Sequence, residues 1–269
     1  MIQTKAKLIY NTRVKNNYWY GVFNAPSLAK KAAPGQFVNI KLSDDYEPLL
    51  RRPFSIHRVT GYGLGVTGIE ILYEIVGRGT EALSQKKPGE PLDIIGPLGN
   101  GFNYRIPYPA SRIPILVAGG IGVAPLLFLA EKLKTYNLKL TTVLIGASTK
   151  SQILCAKEFK ELGFDVKIAT DDGSQGFKGK VTDLLRQILL KNPMNSKQPK
   201  NSIYACGPKP MLAEISRISR QCKIPAQISL EEHLACGIGA CLGCVINTVG
   251  GYQRVCKEGP VFNAEEIIW

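Results

Sequence analysis

A chain of 269 residues that is 45% hydrophobic can bury a proper core, which excludes a disordered polymer, and its length suits two ordinary domains with room for a small third. The formal charge of +13 raises nucleic acid as a partner, but Lys and Arg are spread along the chain rather than clustered. That spread argues for a solvated basic surface that attracts anionic nucleotides and against a nucleic-acid interface.

The N-terminal stretch MIQTKAKLIYNTRVKNN has no apolar core of a signal peptide. Without a secretory signal, seven cysteines are not expected to form a disulfide framework, and a soluble, cytoplasmic protein is expected. Short apolar runs such as QFVNIKL and IEILYEIVG, punctuated by Pro, Gly and Asp, predict an antiparallel β-barrel over 1–104, with NYRIPYPASR (103–112) as a linker. From Ile113 the pattern changes to strands (ILVAGG, LTTVLIGAS, FDVKIATDD, SIYACGP) alternating with helices (APLLFLAEKLKTY, EFKELG, VTDLLRQILLK). That alternation predicts a parallel α/β nucleotide-binding domain over 105–222. The uncharged run Ile113 to Ala130 could pass for a membrane span, yet its glycines and prolines group as a buried strand, a turn and a helix start, so no membrane is expected. KNPMNSKQPKN (191–201) reads as an exposed loop, and 223–269 as a small cysteine- and glycine-rich domain.

That tail carries HLACGIGACLGCVI, with Cys236, Cys241 and Cys244 spaced C-x4-C-x2-C and Cys256 following after eleven further residues. The first two gaps match plant-type iron–sulfur spacing. Glycines between the ligands allow positive φ and turn backbone N–H groups toward sulfur. Structural zinc is the alternative, but paired knuckles need two C-x2-C pairs and only one is present. Unbound thiols are the remaining reading. The last gap is shorter than in free plant-type ferredoxins and implies a very compact cluster site. A Rieske centre would need two histidines as ligands; four cysteines suffice, so His233 is taken as structural, and Cys155 and Cys222 as ordinary cysteines.

RRPFSI (51–56) and LYEIVGRGT (72–80) are weak singly. Together, in a predicted barrel, they resemble the FAD-binding signature of the ferredoxin–NADP reductase superfamily. The resemblance implies that Arg52, Pro53, Phe54 and Ser55 lie against the flavin and its phosphates. It implies that Leu72, Tyr73 and Glu74 line the ribityl and isoalloxazine region, and that Gly79 and Thr80 cap the pyrophosphate. Arg52 can fork to phosphate, and N–H groups near Gly79 and Thr80 suit an anion. GPLGNGF (96–102) resembles the barrel-closing segment of the same superfamily. LVAGGIGVAP (116–125) follows a predicted strand and opens a helix, so Gly119, Gly120 and Gly122 allow a dinucleotide to approach the backbone. YACGPKPML (204–212) resembles the superfamily's second signature, which places Cys206, Gly207 and Pro208 beside the nicotinamide; a buried strand-end cysteine is the plainer reading of Cys206. The turn GASTKSQ (146–152) offers Lys150 but no arginine to clamp a 2′-phosphate, which favours NAD over NADP.

The order of flavin barrel, nucleotide domain and C-terminal cluster, with EEHLACGIGACLGCVI and VCKEGPVFNAEEII, resembles the electron-transfer subunits of class 1B dihydroorotate dehydrogenases. The likeness covers nearly the whole chain. It implies one FAD and one [2Fe–2S] cluster per subunit, NAD as co-substrate, and an FMN-containing catalytic partner subunit that oxidises dihydroorotate in pyrimidine (UMP) biosynthesis. Two copies of each subunit are implied, with the cluster tail at the interface and no base for dihydroorotate on this chain. A similar group is the small subunit of NADH-dependent ferredoxin:NADP oxidoreductases, whose first ligand position often carries Asp; Cys236 stands there and favours the dihydroorotate branch. A ferredoxin- or sulfur-linked oxidoreductase subunit is the alternative.

Overall fold

The computed structural model describes residues 1–43, 47–60, 66–104, 113–135, 141–191 and 201–269. Most of the expected linker at 103–112 and of the loop at 191–201 lies outside them. The chain divides into two compact units. The first comprises Met1–Gly101, Glu231–Ile246 and Tyr252–Pro260, and the second Phe102–Leu230, Asn247–Gly251 and Val261–Trp269. The cysteine-rich tail is thus shared out between them: all four cysteines of the predicted cluster belong to the first unit.

The first unit is built on strands β1 (Ile2–Lys15), β2 (Tyr18–Asn24), β3 (Phe37–Ile40), β4 (Arg52–Ser55), β5 (Arg58–Thr60), β6 (Gly68–Glu74) and β7 (Pro91–Leu98), with two short helices, α1 (Pro26–Ala29) and α2 (Arg78–Ser84). Every pairing is antiparallel, in the order β4-β3-β7-β1-β2-β6-β5. Asn16 takes the left-handed φ of 46° in the tight β1–β2 turn, a conformation that asparagine tolerates. The segment from Arg52 to Thr60 pairs with β3 by its first half and with β6 by its second. At the handover Ile56 N–H donates to Gln36 O (3.0 Å) and His57 N–H to Glu70 O (2.9 Å). One broken strand therefore joins both ends of the sheet and makes the expected barrel, hiding edges that would otherwise be exposed. Leu8, Phe23, Ile40, Ile69, Ile71 and Ile94 fill it, each fully buried.

The second unit holds a seven-stranded sheet in the order β11-β10-β9-β8-β12-β13-β16. Its strands are β8 (Ile113–Gly119), β9 (Thr142–Ala147), β10 (Asp165–Thr170), β11 (Phe177–Lys178), β12 (Asn201–Cys206), β13 (Ala226–Ser229) and an antiparallel edge, β16 (Val261–Asn263). The others run parallel, joined through α3 (Val123–Lys134), α4 (Ala156–Glu161), α5 (Val181–Lys191) and α6 (Lys209–Cys222), except that the short β11 follows β10 after residues 171–176 alone. The apolar run from Ile113 resolves into β8, a glycine turn and α3, and no helix among the described residues is long and apolar enough to cross a membrane. The sheet also runs past Cys222: β13 and β16 are too short for periodicity to show. A hairpin of β14 (Val245–Thr248) and β15 (Gly251–Arg254) leads into Cys256.

Candidate functional site

Cys236, Cys241 and Cys244 lie in a loop without regular structure, between β13 and β14. Its backbone is bent at Gly237 (φ 69°), Gly239 (φ 84°) and Leu242 (φ 60°). The bends aim N–H groups inward, because left-handed residues reverse the direction of successive peptide dipoles. Cys236 Sγ accepts from the N–H groups of Ile238 (3.5 Å), Ala240 (3.3 Å) and Cys241 (3.4 Å). Cys241 Sγ accepts from Gly243 (3.5 Å), and Cys244 Sγ from Cys256 (3.4 Å). Burial raises the pKa of Cys236, but the N–H groups of Ile238, Cys241 and Ala240 and the neighbouring Cys241 thiol outweigh it and bring it down to about 6. Burial, then the Cys244 thiol, pushes Cys256 up to about 12.

Hydrogen bonds tie the cysteines as two couples, Cys241 N–H to Cys236 Sγ and Cys256 N–H to Cys244 Sγ, and all four are free of disulfides. Among the described residues no group of three or more His, Cys, Asp or Glu side chains is gathered to hold a single metal ion. Two couples of thiols, with N–H donors on the sulfurs, fit a two-iron cluster, in which each iron takes two thiolates, better than one tetrahedral zinc. His233 is exposed. Cys155 and Cys222 sit at helix termini in the other unit, at the start of α4 and the end of α6.

Three side chains that sequence reasoning did not single out hold this loop and the segment that follows Cys256. Arg254 Nη1 donates to Gly239 O (2.8 Å), while its Nε donates to Glu258 Oε2 (3.0 Å). The Arg254 guanidinium draws the Glu258 carboxyl down to about 2. Asn100, within GPLGNGF, donates from Nδ2 to Glu258 O (2.9 Å) and Lys257 O (3.3 Å), and from its N–H to Gly259 O (2.6 Å). Asn39 of β3 donates to Cys236 O (3.3 Å).

The two halves of the flavin signature meet in the same unit. A Cβ on Gly79 would stand 2.5 Å from Arg52 Nε, so the glycine lets α2 (Arg78–Ser84) approach the Arg52 side chain. Phe54 of β4 and Tyr73 of β6 pack edge to face at 5.6 Å. Tyr73 donates to Asn11 Oδ1 (2.9 Å), whose amide in turn donates to Leu83 O (2.8 Å) and Lys86 O (3.0 Å) at the end of α2. Arg52 Nη1 donates to Leu50 O (2.5 Å). The Thr80 hydroxyl accepts from Val76 N–H (2.9 Å) and donates to Gly77 O (3.0 Å), fixing the turn into α2. Pro53 and Ser55 are half-buried, Leu72 is buried, and Glu74 accepts from Asn17 Nδ2 (2.8 Å).

In the second unit the glycine turn and the C-G-P turn also come together. β8 and β12 are parallel neighbours with Ala118 opposite Cys206, and strand order reverses at this pair. In open α/β sheets, nucleotides bind at the carboxyl ends of strands at such a switch point. A Cβ on Gly122 would lie 2.2 Å from Cys206 O, and one on Gly119 2.7 Å from Pro208 Cδ. Gly120, at φ 53°, faces open space. A Cβ on Gly207 would lie 2.9 Å from Gly119 N, and Cys206 is 1% exposed.

Comparison with known proteins agrees with both halves. Residues 231–268 match the iron–sulfur cluster binding domain of dihydroorotate dehydrogenase B, and residues 116–217 the oxidoreductase NAD-binding domain. A dihydroorotate dehydrogenase B (NAD(+)) electron transfer subunit from Desulforamulus reducens is 42% identical over 98% of this chain and 97% of its own length. One from a Geobacillus species is 38% identical over 100% and 99%. Among solved structures, a chain of an NADH-dependent reduced ferredoxin-NADP oxidoreductase superposes with a TM-score of 0.81 at 28% identity, over 99% of this chain and 90% of that one. The ferredoxin reductase of carbazole 1,9a-dioxygenase, at 20% identity and TM-score 0.67 over 83% and 66%, shares the fold. The chain belongs to the family of dihydroorotate dehydrogenase B (NAD(+)) electron transfer subunits.

Proposed function

We propose that this chain passes electrons from dihydroorotate oxidation, carried out on an FMN-containing partner subunit, through a [2Fe–2S] cluster and FAD to NAD⁺. The observation that carries the reading is the set of four cysteines, coupled in twos and supplied with N–H donors, in the same compact unit as the flavin-signature barrel. Dihydroorotate loses two electrons and two protons in becoming orotate; NAD⁺ takes two electrons and one proton, and the other proton goes to solvent. FAD, when bound, exchanges hydride with the nicotinamide and single electrons with the cluster, so it belongs between them.

This chain's residues then bind and orient. Cys236, Cys241, Cys244 and Cys256 hold the cluster. Arg52, Pro53, Phe54, Ser55, Leu72, Tyr73, Glu74, Gly79 and Thr80 form the FAD cradle. Gly119, Gly120 and Gly122 admit the NAD phosphates to the backbone, with Cys206, Gly207 and Pro208 beside the nicotinamide. The functional division is 1–104 for FAD, 105–222 for NAD and 223–269 for the cluster. Ile238, Leu242, Val245 and Tyr252 are exposed apolar side chains on and just after the cysteine loop. Such a grouping marks a contact surface, and we assign it to the partner in a complex of two copies of each subunit. The setting is pyrimidine synthesis in the cytoplasm.

The test is reconstitution with an FMN-containing dihydroorotate-oxidising subunit. The expected result is a stable complex that reduces NAD⁺ on adding dihydroorotate, with iron and flavin on this chain. Zinc in place of iron, or pairing with a ferredoxin- or sulfur-linked large chain instead, would overturn it.

A further inference from the structure

Asn39 occupies the middle of β3, 1% exposed, between the fully buried side chains of Val38 and Ile40. A carboxamide is costly there unless its polar atoms are paired. Nδ2 is paired: it donates to Cys236 O (3.3 Å), and it sits where a Cβ on Gly237 would come within 2.5 Å. Oδ1 is buried with no hydrogen-bond partner. An unpartnered buried acceptor is destabilising, so an apolar residue of the same size would suit the barrel better than asparagine. Barrel stability therefore does not account for this side chain; its contact with the cysteine loop does. On the other side, Asn39 stands opposite Pro53 in the β3–β4 register, at the centre of the flavin signature.

We propose that Asn39 is a positioning residue that fixes the Cys236 end of the cluster loop against the flavin-signature sheet, so setting the surroundings of that thiolate and its electron exchange with the flavin. The inference rests on the cofactor reading above. Holding the Cys236 carbonyl orients the peptides that follow it, whose N–H groups at Ile238, Ala240 and Cys241 converge on Cys236 Sγ. N–H donors on a ligand sulfur favour the reduced, more negative cluster and raise its potential. Releasing the anchor loosens them.

The experiment uses the full chain, purified anaerobically with its cofactors, as wild type, Asn39→Leu and Asn39→Asp. Leucine removes both polar atoms at similar volume; aspartate keeps the shape and removes the donor. FAD and iron contents establish loading. The readouts are the electron paramagnetic resonance spectrum of the reduced cluster, its midpoint potential, and the rate of cluster reduction after NADH is mixed in. We expect loading retained, altered g-values, a more negative midpoint and cluster reduction slowed about tenfold in both variants, the scale of outer-shell ligand effects. Should Asn39→Leu not fold, Asn39→Asp decides alone. A wild-type spectrum, potential and rate in the loaded variants would overturn the proposal. So would loss of iron, or of the fold, in both variants, since Asn39 would then build the site rather than tune it. A wild-type chain lacking flavin or a reducible cluster would instead defeat the cofactor reading itself.

Discussion

Arg254 reaches back along the chain to donate to the carbonyl of Gly239 at 2.8 Å, and so ties the segment before Cys256 to the loop that carries the other three cysteines. Its remaining donors are held by Glu258, so the guanidinium is fixed rather than swinging. Arg254→Ala should leave four thiols in place but a looser loop. Iron should be lost to a chelator such as bipyridyl about 10–100-fold faster than from wild type, the usual cost of removing an outer-shell partner. An unchanged release rate would mean that the clamp contributes nothing to cluster retention.

Cys241 is the exposed member of the four, whereas Cys244 and Cys256 are buried. Cys241→Ser should therefore cost little stability and act on the cluster alone. FAD should stay bound and remain reducible by NADH, while electron flow from dihydroorotate to NAD⁺ in the complex is abolished. Full NAD-linked activity in this variant would contradict the cluster route.

The nucleotide turn offers a contrast between two glycines. Alanine at Gly122 would drive its Cβ into the Cys206 carbonyl, at 2.2 Å, where only backbone movement relieves the clash. Alanine at Gly120 meets open space and bears only a left-handed φ, a strain of roughly 1–2 kcal/mol. Gly122→Ala should raise the KM for NADH at least about tenfold, because it parts the two turns that flank the switch point. Gly120→Ala should raise it as well, but less, because its Cβ meets no protein atom and crowds only the bound phosphates. Steady-state reduction of a dye acceptor by NADH separates them.

Asp93 of β7 accepts from Gln3 Nε2 (2.9 Å) and pairs with Arg51 Nη2 at 3.0 Å, next to the flavin signature. Burial raises its pKa, but the Arg51 and Gln3 hydrogen bonds outweigh burial and hold the carboxyl below its usual 3.8. A group with a lowered folded pKa stabilises the fold above its unfolded pKa, and that stability is lost as pH falls through the folded value. Asp93→Asn should thus lower the urea midpoint at pH 7, by the equivalent of about 1–2 kcal/mol. The gap from wild type should close as pH drops below the usual carboxylate range. A gap that widens in acid would reverse the assignment.

Much of the site was legible in the sequence because its requirements are local. The C-x4-C-x2-C spacing, the left-handed glycines and the strand–turn–helix grouping at Ile113 each depend on neighbours a few residues apart. The extent of the second sheet was less legible: β13 and β16 are three or four residues long, too brief to show a period. How the tail is shared was not legible either, because the division of residues 223–269 between the two compact units is set by long-range packing that no local pattern records.

The sequence by itself determined which chemistry this chain can host: thiolates at cluster spacing, a flavin signature and glycine turns for a dinucleotide, all consequences of residue type and short-range geometry. Only the tertiary structure decided what holds that chemistry in place. Asn39 meets Cys236 across 197 positions of chain, and Asn100 meets Glu258 across 158. A lone asparagine in a strand has no local pattern, because its hydrogen-bond partner is chosen by the fold that brings distant backbone carbonyls to it.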